Sequence, residues 1–222
     1  MAVVKKILSW LFPVRIEQVK GKVTPVLEVT LENGKKVLNA GIVNYSFGAL
    51  HDVFRIALQK AKFIENPPAK VLILGLGAGS IVKIIVEEYG QQPEITGIEA
   101  DPTVIHLAKK EFDIDRFSNL EIENVTAEKF ISENRKRFDL IAVDVFVEAT
   151  VPESCKTEKF LEGLYQSLQP NGRVVFNEMP MKRFSVEDDF SKRFDNRFDE
   201  VEIHELNLGD APNRILIGYR KT

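Results

Sequence analysis

The alternation of apolar and polar positions predicts a small β unit in the first part of the chain. Residues 14–39 alternate as half-buried strands do, and Asn33-Gly34 lies between two such runs. Because Asn-Gly accepts the positive φ angles of a type I′ turn, the pattern predicts a β-hairpin. Apolar positions then recur at helical spacing over residues 47–61, and Asn66-Pro67-Pro68 indicates that this helix has ended.

After the two prolines, strands and helices alternate. Strands are predicted at 70–74, 94–98, 120–124, 140–143 and 173–177. Several are nearly continuous apolar runs, which is typical of parallel strands covered by helices on both faces. A helix-like segment at 185–198 precedes strands at 200–206 and 214–219, whose short connection leaves no room for a crossover helix. We therefore expect a doubly wound α/β fold with a mostly parallel seven-stranded sheet and an antiparallel last strand.

These patterns predict three parts: an N-terminal β-hairpin unit at 1–46, a connecting helix at 47–66 and an α/β domain at 67–222. Residues 1–15 place lysines before the apolar run 7–12, which Pro13 and Arg15 cut short. We interpret this stretch as a packed amphipathic segment, with attachment to a membrane surface as the alternative. Elsewhere no run approaches the roughly 20 apolar residues that span a bilayer.

Composition narrows the class of protein without indicating a function. Of the 222 residues, 44% are hydrophobic and 28% are charged, as is usual for soluble globular chains. The formal net charge of -3 gives no general attraction to phosphate backbones, so we expect no nucleic-acid partner. Cys155 is the only cysteine and the three histidines are scattered, so we expect neither a disulfide nor a metal site. These features favour a cytoplasmic protein without a membrane partner.

A glycine-rich turn follows the first strand of the α/β part. It reads Gly75-Leu76-Gly77-Ala78-Gly79, and a helix is predicted to begin near Ser80. Glycines allow the backbone to turn sharply and to lie against a ligand, and a helix N-terminus offers free N–H groups. The alternative is that these glycines serve only the tight turn between strand and helix.

Glu99 ends the next predicted strand, at the position where an acid binds the two hydroxyls of a ribose. Enzymes that use nicotinamide cofactors and enzymes that use S-adenosylmethionine both have such an acid, so Glu99 indicates a nucleoside without distinguishing the two. A solvated acid at a strand end is the alternative. Asp101, before Pro102, is as well placed to cap a helix as to bind a ligand.

Several longer motifs carry a resemblance. The stretch Phe138-Asp139-Leu140-Ile141-Ala142-Val143-Asp144, the pair Val151-Pro152, residues 157–161 and the turn at 168–175 resemble class I S-adenosylmethionine-dependent transferases. Within them, the chain resembles the spermidine synthase family. This resemblance implies S-adenosylmethionine or its decarboxylated form as cofactor and Asp144 as the catalytic aspartate. The alternative role of Asp144 is to cap the segment that follows it. The resemblance also implies cofactor-binding roles, which it assigns to Gly75, Gly77, Gly79, Glu99, Ala100, Thr126, Ala127 and Asp144.

The first part of the chain matches this family more loosely. Leu50-His51-Asp52 resembles the family's tyrosine-histidine-glutamate segment, and Asn44-Tyr45-Ser46 corresponds to its glutamine and acidic pair. The resemblance implies that Asn44, Tyr45, His51 and Phe146 bind the small-molecule acceptor. A local hydrogen bond to Asp52 is the alternative role of His51. The family commonly associates through its N-terminal β unit, which implies a homodimer.

Departures from the family leave the reaction open. The family's second carboxylate after the catalytic aspartate is replaced by Val147, and Glu148 or Glu153 are candidates to compensate for it. Because a buried ammonium needs carboxylate partners, this change disfavours a diamine substrate. The favoured hypothesis is transfer of a methyl group to a small acceptor. The alternatives are aminopropyl transfer to a polyamine, or a non-catalytic nucleoside-binding protein.

Overall fold

The computed structural model describes residues 2–40, 43–46, 49–147, 150–178, 189–206, 208 and 213–222. At residues 2, 3, 5, 43–46 and 49 it describes the backbone alone. Two sheets organise these residues, one antiparallel with four strands and one mostly parallel with seven. Within the described ranges, no helix is long and apolar enough to cross a membrane.

The antiparallel sheet contains the predicted hairpin. Helix α1 (Ala2–Leu8) precedes strands β1 (Val14–Val19), β2 (Leu27–Glu32), β3 (Lys35–Ala40) and β4 (Val43–Ser46), which pair in chain order. Asn33 and Gly34 connect β2 to β3 with φ angles of 48° and 76°. The Asn-Gly turn predicted from the sequence is therefore confirmed.

The seven-stranded sheet forms the body of the molecule. Its strands are β5 (Lys70–Leu74), β6 (Glu94–Glu99), β7 (Leu120–Asn124), β8 (Phe138–Val143), β9 (Leu168–Glu178), β10 (Glu200–Leu206) and β11 (Asn213–Tyr219). Their order is β10-β11-β9-β8-β5-β6-β7. Strands β5 to β9 run parallel, whereas β11 is antiparallel to both β9 and β10. The predicted fold class, including the antiparallel finish, is confirmed.

Helices cover both faces of this sheet. They are α2 (Ala49–Lys60), α3 (Ser80–Lys83), α4 (Pro102–Phe112), α5 (Ala127–Glu133), α6 (Glu158–Gln166) and α7 (Asp189–Arg197). A π-helical turn, Ile84–Glu88, continues α3, and short 3₁₀ turns lie at Ile114–Arg116 and Glu153–Lys156. Alternate residues of β5 point into two separate apolar clusters, one on each face, which explains why the strand reads as a continuous apolar run.

Strands β8 and β9 begin earlier than predicted. Phe138 pairs with Leu168, and the register then shifts before Leu140 pairs with Arg173. The turn-forming residues between Leu168 and Arg173, including Asn171 at φ 62°, are accommodated as an irregularity in β9. Of the predicted helix at 185–198, residues 185–188 lie outside the described part of the chain.

The four-stranded sheet packs on the α/β part beside the glycine turn. Leu27, Val29, Leu38 and Ala40 share one buried cluster with Ala78, Val104 and Leu107. The predicted packing of the N-terminal segment is wrong, however, because Trp10, Leu11 and Phe12 are 66%, 78% and 54% exposed. The sheet thus closes one side of the region that holds the candidate site.

Candidate functional site

The glycine turn is shaped by positive φ angles and by close packing. Gly75, Gly77 and Gly79 have φ angles of 88°, 56° and 89°. A Cβ atom at Gly75 would lie 2.2 Å from the carbonyl oxygen of Asp144, and one at Gly79 would lie 2.6 Å from Ile114 Cδ1. Only glycine fits these positions without displacing a neighbour. The turn therefore lies against the end of β8. Residues 75–80 include no charged side chain.

Glu99 lies directly under this turn. Its carboxylate accepts hydrogen bonds from the backbone N–H of Gly77 (Oε2, 3.0 Å) and of Asp101 (Oε1, 3.0 Å). The side chain is buried at the end of β6, and burial raises its pKa, although these two N–H donors act in the opposite direction. A carboxylate can accept about four hydrogen bonds. Each oxygen of Glu99 thus retains acceptor capacity for a hydroxyl of a ligand.

Asp101 caps a helix and anchors a loop. Its carboxylate caps α4 by accepting from the N–H of Thr103 at 2.8 Å, and it also accepts from the N–H groups of Val23 (2.8 Å) and Thr24 (3.4 Å). Burial opposes its ionisation, but these bonds outweigh burial and lower its pKa. Of the two roles open from the sequence, the cap is the one that these contacts describe. Asp101 additionally ties the β1–β2 loop to the α/β part.

Asp144 directly follows β8 and lies next to the glycine turn. Its N–H donates to Leu74 O at 2.8 Å, and its side chain is half-buried. Burial raises its pKa to about 7; the hydrogen bond from Asn177 lowers it, and the charge of Glu99 raises it. Because β6 and β8 both run parallel to β5, Glu99 and Asp144 lie at the same end of the sheet.

Asn177 is the site residue that the sequence did not single out. Its Nδ2 donates to Asp144 Oδ1 at 3.0 Å, it is fully buried, and its Oδ1 has no hydrogen-bond partner within the described structure. In the sequence, Asn177 is recognisable only as a polar residue at the end of the predicted apolar strand 173–177. Without the strand order, nothing connected the two residues.

Thr126 and Ala127 begin α5 at the same edge of the sheet. The Thr126 hydroxyl caps the helix by accepting from the N–H of Lys129 at 3.3 Å, while Ala127 is buried. Ala100 is half-buried, and its carbonyl accepts from Asn124 Nδ2 at 3.0 Å. Thus a small residue and a hydroxyl follow β7, the strand that pairs with β6.

The segment after Asp144 is apolar. Val145 and Phe146 pack against the core cluster beneath α6, and Val147 is 39% exposed. Val147 and Thr150 exchange two backbone hydrogen bonds of 3.0 and 3.2 Å. Of the two acids considered as replacements for the missing carboxylate, Glu148 lies outside the described residues, and Glu153 is exposed and pairs with Lys156 at 3.6 Å.

His51 connects α2 to the helix that follows the glycine turn. Its Nδ1 lies 2.7 Å from Ser80 Oγ, and its Nε2 lies 2.6 Å from Glu88 Oε1. Asp52, the neighbour considered as its partner, pairs with Arg55. The side chains of Asn44 and Tyr45, the other two acceptor-binding candidates in this part, lie outside the described structure.

The glycine turn has two carboxylates beside it. Among the residues with described positions, no group of three or more His, Cys, Asp or Glu side chains could hold a metal ion. The turn itself presents a glycine surface, Glu99 is a buried carboxylate with remaining acceptor capacity, and burial raises the pKa of the second carboxylate, Asp144, to about 7.

Residues 65–213 match the family model described as a methyltransferase domain. The chain belongs to this family. Its fold is spermidine synthase-like: the probable spermidine synthase of Corynebacterium glutamicum superposes with a TM-score of 0.75 at 21% identity, covering 91% of this chain and 79% of that one. Human methyltransferase-like protein 13, solved in complex with SAH, superposes with a TM-score of 0.64 at 18% identity, covering 79% and 83%.

A curated relative points in the same direction. Polyamine aminopropyltransferase of Vibrio vulnificus is 29% identical over 126 residues, which make up 55% of this chain and 42% of that protein. The chain thus spans less than half of the length of this relative. The family and the fold of the present chain are established by these matches, and the relatives named here are transferases.

Proposed function

We propose that this protein binds a sulfonium nucleoside of the S-adenosylmethionine type and transfers one of its alkyl groups to an amine. The observation that carries the proposal is the pair of carboxylates at one edge of the sheet, Glu99 under the glycine turn and Asp144 beside it. When bound, such a nucleoside supplies an electrophilic carbon and a neutral thioether leaving group.

The glycine turn and Glu99 would hold the nucleoside. Three of the five residues of the turn are glycines, and the side chains of the other two, Leu76 and Ala78, are buried in apolar clusters. Glu99 would accept hydrogen bonds from the ribose hydroxyls with the lone pairs that Gly77 and Asp101 leave free. Ala100, Thr126 and Ala127 would contact the base, with the Thr126 hydroxyl as the polar group available there.

Asp144 would prepare the acceptor. An amine is nucleophilic only after it loses its proton, and a base with a pKa near the working pH accepts that proton most effectively. Burial brings the pKa of Asp144 to about 7, and Asn177 holds one carboxylate oxygen at 3.0 Å. The base is therefore oriented by a neighbour that is fixed in a strand.

Aminopropyl transfer from decarboxylated S-adenosylmethionine is the reaction that we place first. The curated relative is a polyamine aminopropyltransferase, and the spermidine synthase likeness extends over 91% of the chain, compared with 79% for the methyltransferase structure. This order reverses the preference drawn from the sequence, where methyl transfer came first.

Methyl transfer from S-adenosylmethionine is the second candidate. It is favoured by Val147 in place of the family's second carboxylate and by the apolar Ala78, which leaves the glycine turn without an acid for an aminopropyl ammonium. An acceptor with one amine would not need a second carboxylate.

The nucleoside by-product distinguishes the two reactions. The protein is incubated with each donor and with a diamine or a monoamine, and the products are identified by mass spectrometry. Methylthioadenosine formed only from the decarboxylated donor supports aminopropyl transfer, and S-adenosylhomocysteine formed from the intact donor supports methyl transfer. If the nucleosides bind but no acceptor yields either product, the non-catalytic alternative is favoured.

Two further expectations belong to this proposal. A cytoplasmic location would supply the donor nucleosides, and a homodimer would follow from the family resemblance of the N-terminal sheet. Light scattering coupled to size exclusion measures the assembly directly, and a monomer at all concentrations would remove the dimer from the proposal.

A further inference from the structure

The N-terminal segment exposes more apolar surface than its surroundings explain. Val4, Ile7, Leu8, Trp10, Leu11 and Phe12 are between 36% and 78% exposed. Single exposed apolar residues are ordinary, but contiguous ones mark a contact surface. We call these six residues the apolar N-terminal face.

This face is held outward by specific contacts. Ser9 is buried, its carbonyl accepts from the N–H of Asn33 at 2.8 Å, and its hydroxyl accepts from the N–H of Gly34 at 3.0 Å while donating to Lys6 O at 2.7 Å. Ser9 therefore fixes the end of α1 on the β2–β3 turn. The apolar side chains before and after Ser9 remain on the outside.

Positive charge accompanies the apolar face. Residues 1–40 contain seven Lys and Arg against three Glu, of which Arg15 pairs with Glu28 and Lys36 with Glu111 of the α/β part. Residues 1–16 contain no Asp or Glu. Lys6 and Lys35 are exposed, and Lys6 Cε and Trp10 Nε1 both lie close to Gly34, 3.5 and 3.6 Å from where its Cβ would be.

We propose that the apolar N-terminal face docks on an anionic lipid surface. Trp, Leu and Phe beside lysines are the side chains that bind the interface of a bilayer, where rings and chains enter the acyl boundary and ammonium groups meet lipid phosphates. Helix α1 has seven residues, far fewer than the roughly 20 of a spanning helix, so the contact is peripheral. This inference is independent of the proposed reaction and departs from the expectation of no membrane partner.

A second copy of the chain fits this face less well. In a symmetric pair the patch meets a second copy of the same patch, so one interface would contain Lys6 and Lys35 from both copies. An anionic surface matches both the charge and the apolar residues at once. Self-association of the protein without lipid would favour a second copy over a lipid surface as the partner of this face.

Trp10 is the only tryptophan in the chain, so it reports on its own surroundings. Its emission is measured with phosphatidylcholine vesicles that contain or lack phosphatidylglycerol. We expect a blue shift and quenching by brominated lipid with the anionic vesicles, weaker at high salt because charges are screened. An unchanged spectrum with both kinds of vesicle, or a blue shift that depends on protein concentration without lipid, would overturn the proposal.

Matched variants keep the test independent of folding. Leu11→Ser combined with Phe12→Ser leaves Trp10 as reporter and should weaken vesicle binding by roughly tenfold or more, because two large apolar side chains no longer enter the lipid. Val23→Ser, at an exposed apolar residue in the β1–β2 loop, is the control and should bind as the parent does. Circular dichroism checks both folds. Equal vesicle binding by the double variant would contradict the proposal.

Discussion

Asp144 Oδ1 and Asn177 Nδ2 lie 3.0 Å apart at the carboxyl ends of the neighbouring strands β8 and β9. This hydrogen bond orients the carboxylate and opposes the rise in its pKa that burial causes. Because Asn177 is fully buried in a central strand, the position of Asp144 is set by the sheet and not by its own loop.

Asp144→Asn tests the role of the base. The asparagine keeps an oxygen that can accept from Asn177, so the fold should be preserved, but it cannot accept a proton. We expect the turnover rate to fall by roughly 10²–10⁴-fold, while donor affinity measured by calorimetry changes little. Asp115→Asn, at an exposed acid that pairs with Lys109, is the control and should keep full activity. Unchanged turnover in Asp144→Asn would remove the main support for catalysis.

The pH dependence of the reaction should report the pKa of Asp144. Since the base must be ionised, kcat/KM is expected to rise as pH increases through about 7. Asn177→Ala removes the hydrogen bond that lowers this pKa, so the rise should move to higher pH. A profile that Asn177→Ala leaves in place would mean that Asn177 serves only packing.

The glycine turn can be tested with two alanine variants that both place a side chain at a positive φ angle. Gly75 and Gly90 have φ angles of 88° and 65°, so Ala at either position should destabilise the fold by roughly 1 kcal/mol or more. Only at Gly75 would the Cβ also meet the Asp144 carbonyl, whereas nothing lies within 4 Å at Gly90. We expect Gly75→Ala to lose donor binding and Gly90→Ala to retain it, as measured by calorimetry. If both variants bound the donor equally well, the glycine turn would not be part of the binding site.

Asp101 should contribute to stability rather than to binding. Its pKa is lowered from 3.8, so the ionised form stabilises the fold above that pH, and the contribution is lost as pH falls through the folded-state pKa. Asp101→Asn should therefore reduce the free energy of unfolding by roughly 1–3 kcal/mol at pH 7 and by less in acid. Urea unfolding at both pH values measures the difference, and an equal loss at both would contradict this account.

The sequence predicted the main sheet well because its strands are apolar runs separated by turns and helices. Its limits are physical. Asn177 was missed because hydrogen bonding across β8 and β9 depends on strand order, which local pattern does not contain. The N-terminal segment was expected to pack. Instead, Ser9 contacts the hairpin turn, and the neighbouring apolar side chains of the segment point outward. Apolar periodicity alone does not indicate what an apolar helix face packs against.

Calorimetric titration tests the central claim, that the glycine turn and Glu99 form a site for a sulfonium nucleoside. S-adenosylmethionine, its decarboxylated form, methylthioadenosine and NADH are titrated into the protein and into Glu99→Gln, with thermal melting as the check on folding. We expect at least one of the first three to bind, NADH not to bind, and Glu99→Gln to weaken the binding by roughly tenfold or more, as loss of hydrogen bonds to a charged group does. Binding of none of the first three, or of NADH in their place, would contradict the account.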